Sequence, residues 1–211
     1  MANYFIEIEL LSAAVFGRGD GVAGAVDVEA QHDESGLPYL AGRSVKGLLV
    51  AQCAEILGAF ERQKHTRLSD FKQAADQLFG RPGSDLGSSG SLTFGRAQLP
   101  DDLREALQQA LKIAPNAFRR EDVLAAFSSI RRQTKVDEET GAAADDTLRA
   151  TRVLSSGLTF RSRLSADPAP AGLAQALLAA CVTGARAVGR HRARGLGQCR
   201  LHLLDDKGAD L

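Results

Sequence analysis

A short arginine-rich stretch near the C-terminal end of the chain holds the side chains best suited to binding an anion. Residues 184–204 contain five arginines and no acidic residue, whereas the 211-residue chain as a whole has 26 basic and 26 acidic side chains. Each guanidinium presents a planar fork of N–H donors that matches phosphate oxygens, and glycines let the backbone approach a ligand closely. The pattern predicts a basic loop along a nucleic-acid backbone, with a solvated basic turn as the alternative. The residues predicted to make contact are Gly189, Arg190, His191, Arg192, Arg194, Gly195 and Gly197.

The segment GRSVKGLL, residues 42–49, places further basic side chains at the predicted start of a helix. Arg43 and Lys46 oppose the helix dipole there, and an anion bound to the free N–H groups of the first turn would offset that cost. Ser44 is the predicted N-cap residue. We expect Arg43, Ser44 and Lys46 to lie on the same phosphate track as the arginine-rich loop. The alternative is an exposed helix end that tolerates bases.

A carboxylate in a glycine-flanked loop could do chemistry on a bound nucleic acid. Asp27 lies in the segment GAVDVEAQHDE, and Glu29, Asp33 and Glu34 follow it closely enough to predict a local acidic cluster. A carboxylate beside bound RNA can hold a divalent ion or help to position a reacting 2′-hydroxyl. An ordinary acidic loop is the alternative.

A fourth candidate is a basic segment that leads into a polar tip. Arg131 and Arg132 precede the segment TKVDEETGAAADD, which is poor in apolar residues. The arrangement predicts a β-hairpin finger that wedges against bases, and a disordered surface loop is the alternative.

Several other patterns of catalysis and binding are missing from the sequence. The histidines show no paired metal spacing, no Gly-x-Ser-x-Gly motif occurs, and the three cysteines form no Cys-x-x-Cys pair. Aromatic residues make up 5% of the chain, with no tryptophan, which argues against a wide base-stacking platform. The N-terminal residues do not resemble a signal peptide, and no apolar run approaches the roughly 18 residues of a membrane span. We therefore expect a cytoplasmic protein with no membrane partner.

Hydrophobic periodicity predicts an α+β fold. Tyr4, Ile6, Ile8 and Leu10 alternate with polar residues, as in a strand with one solvated face. Helices are predicted from Ser44 onward and over residues 68–79, 101–112, 120–127 and 171–183, and strands over 91–99, 152–164 and 198–204. An antiparallel sheet with helices on one face, a ferredoxin-like core, is the simplest way to bury these elements.

Four stretches of the chain together resemble the RAMP (repeat-associated mysterious protein) superfamily of CRISPR systems, and they occur in the order expected for it. They are GAVDVEAQHDESGLPYLAGRSVKGLL, LFGRPGSDLGSSGSLTFGRAQL, RRQTKVDEETGAAADDTLRATRVLSSGLTF and GRHRARGLGQCRLHL. Within the superfamily, the aspartate and the third stretch are most similar to the backbone subunit that repeats along the guide RNA of type III effector complexes.

This resemblance implies a ferredoxin-like (RRM-type) core formed by one domain over residues 1–211. It also implies insertions around 16–38 (the loop with Asp27), 60–90 (a helical lid) and 131–152 (a thumb-like hairpin). The implied partners are guide (CRISPR) RNA, target RNA, other effector subunits and further copies of the chain. In the resembled group the loop aspartate is required for metal-dependent cutting of target RNA, so Asp27 is the implied catalytic residue and ligand of Mg²⁺ or Mn²⁺.

Two related functions remain open at this point. One is a backbone subunit with the same architecture and no catalysis. The other is a guide-processing endoribonuclease of the same superfamily, a role that usually needs a histidine-centred set of acid and base, for which His32 and His65 are the free candidates. A metabolic ferredoxin-like domain without RNA affinity is a third, unrelated possibility.

Overall fold

The computed structural model describes residues 2–22, 25–81, 89–113, 119–134 and 148–211. The strands are β1 (Ala2–Leu10), β2 (Tyr39–Leu40), β3 (Leu92–Gln98), β4 (Ser128–Gln133), β5 (Arg149–Leu154), β6 (Thr159–Ala166) and β7 (Cys199–Leu204). The helices are α1 (Gly42–Arg62), α2 (Leu68–Phe79), α3 (Asp101–Ile113), α4 (Arg120–Ala126) and α5 (Leu173–Gly184), with a 3₁₀ turn at Arg192–Arg194.

The main sheet is antiparallel, with strand order β2-β3-β6-β1-β7. The order β3-β6-β1-β7 around α1 and α5 is that of a βαββαβ ferredoxin-like core, so the predicted fold class is confirmed. The alternation in β1 explains the layering, because Ile6, Ile8 and Leu10 are buried under the helices. On the open face, Glu7 and Glu9 form ion pairs with arginines of the neighbouring strands.

Three helices cover one face of this sheet. Helices α1 and α5 pack against each other and against the sheet, and α2 packs on both of them. Val45, Leu49 and Cys53 recur on one side of α1 and are buried in the main core. The predicted bounds of α2 coincide with the observed ones. Helix α2 lies within the interval predicted as a helical lid, of which residues 82–88 fall outside the described ranges.

Two strand ribbons extend beyond the main sheet. The first, here called the N-terminal ribbon, consists of residues 13–22 and 25–31 and is held by antiparallel bridges such as Gly17 to Ala30. The second, the thumb ribbon, is formed by β4 and β5. Residues 148–152 and 131–134 of the predicted thumb belong to it or adjoin it, while 135–147 lie outside the described residues. The two ribbons are joined, because residues 27–28 pair with β5.

Two local predictions were wrong. Residues 152–164 form not one strand but the end of β5 and most of β6, because a turn at Gly157 (φ +81°) reverses the chain into a different sheet. Ser44 is not the N-cap: helix α1 begins at Gly42, and its N-cap residue is Ala41, which offers no side-chain cap. Among the described residues, no helix combines the length and the apolar character that crossing a bilayer requires.

Candidate nucleic-acid interface

A cleft brings the start of α1 together with the arginine-rich loop. The loop here called the arginine loop, residues 185–198, connects α5 to β7 and lies beside the N-terminal ribbon. The cleft between these elements has a volume of about 260 Å³. Its lining residues come from α1 and its approach (Leu40, Ser44, Gly47, Leu48), from the ribbon (Val15, Phe16, Gly17, Gln31) and from the arginine loop (Val188, Gly189, Arg190, Arg192).

Two glycines of the arginine loop are required by the packing of the protein backbone and not by the approach of a ligand. Gly189 has φ +83°, and a Cβ there would lie 2.5 Å from the carbonyl oxygen of Val15. Gly197 has φ +74°, and its Cβ would meet the Val188 carbonyl. Both positions therefore require glycine for close backbone packing. Gly195 (φ +74°) has open space around it, so its requirement is conformational only.

Backbone hydrogen bonds fix the arginine loop against the ribbon. The Arg190 N–H donates to the Val15 carbonyl at 2.9 Å, and the Gly197 N–H donates to the Ala13 carbonyl at 2.8 Å. His191 has φ +59°, which turns the chain into the 3₁₀ turn that contains Arg192 and Arg194. The three arginines at 190, 192 and 194 are exposed, so their guanidinium groups can reach a ligand.

The first turn of α1 has free donors and no negative charge. It contains no acidic residue, and Ala41 gives no side-chain cap, so neither the helix nor its N-cap residue supplies a carboxylate to offset the partial positive charge of the first N–H groups. Ser44 and Gly47 face the cleft. Arg43 and Lys46 belong to the same part of the helix but do not line the cleft itself.

Gln31 and Gly47 complete the cleft and were not singled out from the sequence. The Gln31 side chain is buried; its Nε2 donates to the Gly17 carbonyl at 3.0 Å, and its Oε1 accepts from the Ala41 N–H at 3.1 Å. It thus fixes the start of α1 against the ribbon. Gly47 leaves space on the helix surface, because a Cβ there would meet nothing within 4 Å. No spacing motif could have identified Gln31, since its two partners come from separate segments.

The positive charge around the cleft is uncompensated. Within the described ranges, no carboxylate forms an ion pair with the basic residues Arg43, Lys46, Arg190, Arg192 or Arg194. Arginines elsewhere do have partners: Arg104 pairs with Asp101 at 2.8 Å, Arg161 with Glu7 at 3.0 Å and Arg200 with Glu9 at 3.2 Å. Arg200 belongs to the arginine-rich stretch in sequence but lies on the open face of the sheet, away from the cleft.

Asp27 lies in a separate cavity where the two ribbons meet. The Ala150 N–H donates to Asp27 Oδ2 at 2.6 Å, and the Asp27 N–H donates to the Ala150 carbonyl at 2.8 Å. The cavity has a volume of about 500 Å³; its lining residues include Val22, Arg132 and Leu148. Gln31 in the cleft lies four positions after Asp27 in the chain, a distance of about 13 Å at 3.3 Å per residue of extended chain. The cavity and the cleft are therefore separate sites.

The acidic residues near Asp27 in sequence have partners of their own. Glu29 is buried and pairs with Arg152 at 2.6 Å, and Asp33 Oδ1 accepts from the N–H groups of Ser35 and Leu37 in a turn. Neither carboxylate is therefore free to act together with that of Asp27. In the described part of the chain, no three side chains of His, Cys, Asp or Glu are placed to hold a metal ion. Asp27 contributes one carboxylate, with one oxygen already hydrogen-bonded, so a divalent ion would need RNA phosphates and water as its remaining ligands.

The other predicted residues lie apart from the cleft. Arg131 and Arg132 follow each other on β4 and therefore point to opposite faces of the thumb ribbon, with Arg132 facing the Asp27 cavity. His65 stacks on Phe60, with ring centroids 4.8 Å apart, which is a packing role. His32 Nδ1 lies 3.0 Å from the Asp33 carbonyl oxygen. No acid–base pair centred on these two histidines is present among the described residues.

The comparisons with known proteins agree with this architecture. A family model described as the RAMP superfamily matches residues 7–200. No curated protein matches the chain in sequence. A chain in a cryo-EM structure of type III-B Cmr-beta in the apo state is 14% identical, with a TM-score of 0.66 over 97% of this chain and 98% of that chain. A chain of type III-B Cmr-beta bound to cognate target RNA is 13% identical, with a TM-score of 0.65 over 96% of this chain and 97% of that one.

Proposed function

This chain belongs to the RAMP superfamily, and on that premise we propose that it is an RNA-binding subunit of a type III CRISPR effector complex. The observation that carries the proposal is the cleft in which the uncapped start of α1 meets the unpaired arginines of the arginine loop. Both features favour an anion, because free N–H groups and guanidinium groups are donors, and none of them has a negative partner among the described residues. The likeness of fold to a chain of Cmr-beta bound to cognate target RNA supports the proposal.

The geometry suits recognition of the RNA backbone and not of base sequence. The cleft presents the arginine forks of Arg190 and Arg192 and the residue Ser44 with its hydroxyl group, and both kinds of group match phosphate and ribose oxygens. Sequence choice would then belong to the guide RNA, through base pairing with target RNA. The proposed partners are guide RNA, target RNA, other effector subunits and further copies of this chain along the guide.

Replacing the three exposed loop arginines tests the binding proposal. The variant Arg190→Gln/Arg192→Gln/Arg194→Gln should lower the affinity for guide RNA by about 100-fold, because each lost phosphate contact contributes about 1 kcal/mol. The measurement is a binding titration with several guides of unrelated sequence, and the loss should be similar for all of them.

The matched control removes the same charge from elsewhere on the molecule. Arg104→Gln/Arg161→Gln/Arg200→Gln replaces three arginines that are each paired with a carboxylate. It should leave guide affinity within severalfold of the wild type. Equal losses in the two triple variants would contradict a specific cleft, and a loss confined to certain guides would contradict backbone recognition.

We further propose that Asp27 takes part in cutting target RNA. Its carboxylate faces a cavity with Arg132, and Oδ1 has no hydrogen-bond partner among the described residues. In an in-line reaction the ribose 2′-oxygen attacks the adjacent phosphorus, the bond from phosphorus to the 5′-oxygen breaks, and a 2′,3′-cyclic phosphate and a 5′-hydroxyl result. Asp27 would accept the 2′-hydroxyl proton, Arg132 would bind the phosphate charge, and water would protonate the leaving oxygen. A Mg²⁺ or Mn²⁺ ion shared by Asp27 and the RNA would stabilise negative charge on the phosphate.

The variant Asp27→Asn separates cutting from folding. Asparagine can still accept the hydrogen bond from Ala150 through its carbonyl oxygen, but it cannot take up a proton. Cutting of target RNA by the assembled complex should fall by about three orders of magnitude, the usual size of a lost general base. Affinity for guide RNA should be unchanged.

Asp20→Asn is the control for this experiment. Asp20 is an exposed carboxylate of the same ribbon and pairs with Arg18 at 2.6 Å. This variant should cut at the wild-type rate. Full cutting by Asp27→Asn would remove Asp27 from the active site.

One observation favours a second candidate, a binding subunit that does not cut. Glu29 is occupied by Arg152, so Asp27 is the single carboxylate that lines its cavity in the described structure. Purified complex that binds target RNA but leaves it intact with added Mg²⁺ or Mn²⁺ would identify this function.

A further inference from the structure

A buried ion pair connects the strand of Asp27 to the thumb ribbon. Glu29 is 3% exposed and is the only buried carboxylate among the described residues. Arg152 Nε donates to Glu29 Oε1 at 2.6 Å, and the Ala30 N–H donates to the same oxygen at 2.8 Å. Arg152 Nη1 also donates to Ser128 Oγ at 3.3 Å. The pair therefore joins the N-terminal ribbon to both β5 and β4.

Stability alone does not account for this pair. Removing two charges from water costs about as much as their attraction returns, and replacing a buried pair by apolar side chains of similar volume is often neutral or stabilising. An apolar contact, however, is tolerant of small shifts, whereas a hydrogen-bonded ion pair forms in one arrangement only. The pair is thus better suited to selecting a geometry than to raising the free energy of unfolding.

The geometry in question is the register between the two ribbons. Near Asp27, three backbone bonds define it: Asp27 and Val28 both donate to the Ala150 carbonyl, at 2.8 and 3.3 Å, and Arg152 donates to the Val28 carbonyl at 3.0 Å. At the other end of β5, Ala14 and Leu154 exchange two more backbone bonds, at 3.1 and 2.7 Å. A slip of one residue in a strand turns every side chain to the other face. Such a slip would turn Asp27 away from the cavity that contains Arg132. Glu29 is two residues after Asp27, and Arg152 is two residues after Ala150. The ion pair therefore continues the strand pairing that begins with Asp27 and Ala150.

We propose that the Glu29–Arg152 ion pair locks the register between the N-terminal ribbon and β5 and so holds Asp27 in its cavity. Glu29 is a positioning residue in this proposal. The effect on cutting rests on the proposed role of Asp27, whereas the register lock itself does not.

The main experiment replaces the pair by apolar side chains of similar length. The variant Glu29→Met/Arg152→Met should lower the melting temperature only modestly, because no charge is left unpaired in the interior and the Ala30 N–H alone loses its acceptor. Hydrogen exchange of the full chain should nevertheless become faster at residues 27–30 and 149–153 and stay unchanged in the main sheet. In the assembled complex, cutting of target RNA should fall by about tenfold or more while guide affinity is kept.

One control variant removes an ion pair elsewhere, and two single variants of Glu29 test the proposal if the double variant folds poorly. Glu9→Met/Arg200→Met removes an exposed ion pair and should change neither exchange in those segments nor cutting. Glu29→Gln keeps the length and the acceptor oxygen for Arg152 and Ala30, so the register, and with it cutting, should be retained, whereas the unpaired charge of Arg152 should lower the melting temperature. Glu29→Asp keeps the charge but is one methylene shorter, so it should lose both.

The outcomes separate this proposal from the proposed function. Unchanged exchange at residues 27–30 in both the double variant and Glu29→Asp overturns the register lock, whatever happens to cutting. Faster exchange together with full cutting that still depends on Asp27 overturns the positioning role. A wild-type complex that does not cut at all overturns the catalytic part of the proposed function, and hydrogen exchange then decides on the register lock alone.

Discussion

At the scale of single residues, Gly47 makes helix α1 less stable but keeps the space beside the cleft open. Glycine inside a helix is less stable than alanine by about 1 kcal/mol, because it loses more backbone entropy on folding. No packing contact requires it, since a Cβ at this position would meet nothing within 4 Å. The open space lies in the cleft beside Ser44. A ligand backbone that comes close to α1 would explain why a side chain is missing here.

The variant Gly47→Ala should therefore stabilise the protein and weaken RNA binding. We expect the free energy of unfolding to rise by up to about 1 kcal/mol, measured by chemical denaturation. Guide affinity, measured by titration, should fall by about tenfold, because the added methyl group occupies the space of the ligand.

Gly58→Ala is the control on the same helix. A Cβ at Gly58 would meet only the flexible end of the Arg62 side chain at 3.4 Å, so stability should rise to a similar degree. Its RNA affinity should not change. A Gly47→Ala protein that binds RNA as tightly as the wild type would place the ligand away from this side of α1.

At the scale of elements, the N-terminal ribbon links the two proposed sites. Its residue Val15 pairs with Arg190 of the arginine loop, and the preceding Ala14 pairs with Leu154 of β5. Further along the same ribbon, Asp27 and Val28 pair with the other end of β5. The cleft and the Asp27 cavity are therefore joined by the hydrogen bonds of the N-terminal ribbon and β5. In the proposed function, these bonds and not the main sheet would set the spacing of the two sites along the RNA.

At the scale of the whole molecule, the numbers of basic and acidic side chains are equal, so the positive charge around the cleft is a local feature. The chain carries no net charge at pH 7, so a long-range attraction to RNA is weak. The proposed binding would instead depend on short-range contacts between phosphates and the arginine and lysine side chains around the cleft, which have no acidic partner among the described residues. On the open face of the sheet, by contrast, arginines are neutralised by Glu7 and Glu9.

The salt dependence of guide affinity tests whether the arginines of the cleft contact phosphates. For single-stranded nucleic acid, each phosphate contact contributes about 0.7 to the slope of log K against log salt concentration. The triple replacement of Arg190, Arg192 and Arg194 should therefore reduce the slope of guide binding by about 2. Titrations at several salt concentrations measure it. An unchanged slope would show that these arginines do not contact phosphates, even if affinity falls.

The secondary structure and the fold class were largely predictable because they depend on local periodicity. The alternation in β1 and the helical spacing of Val45, Leu49 and Cys53 identify buried faces without knowledge of their partners. The arginine loop and the first turn of α1 were recognisable for a similar reason, since charge and glycine content are properties of a segment.

Only the tertiary structure decided which charges are free. Glu29 and Arg152 are 123 residues apart in sequence, and Arg200 and Glu9 are 191 apart, yet each pair is joined by a hydrogen bond. Ion pairing acts over a few ångströms in space, and such distances are set by strand order and register. The sequence by itself determined that a basic loop and an acidic loop exist. The fold decided that, within the described residues, Arg190, Arg192 and Arg194 have no acidic partner and Asp27 is the only carboxylate lining its cavity.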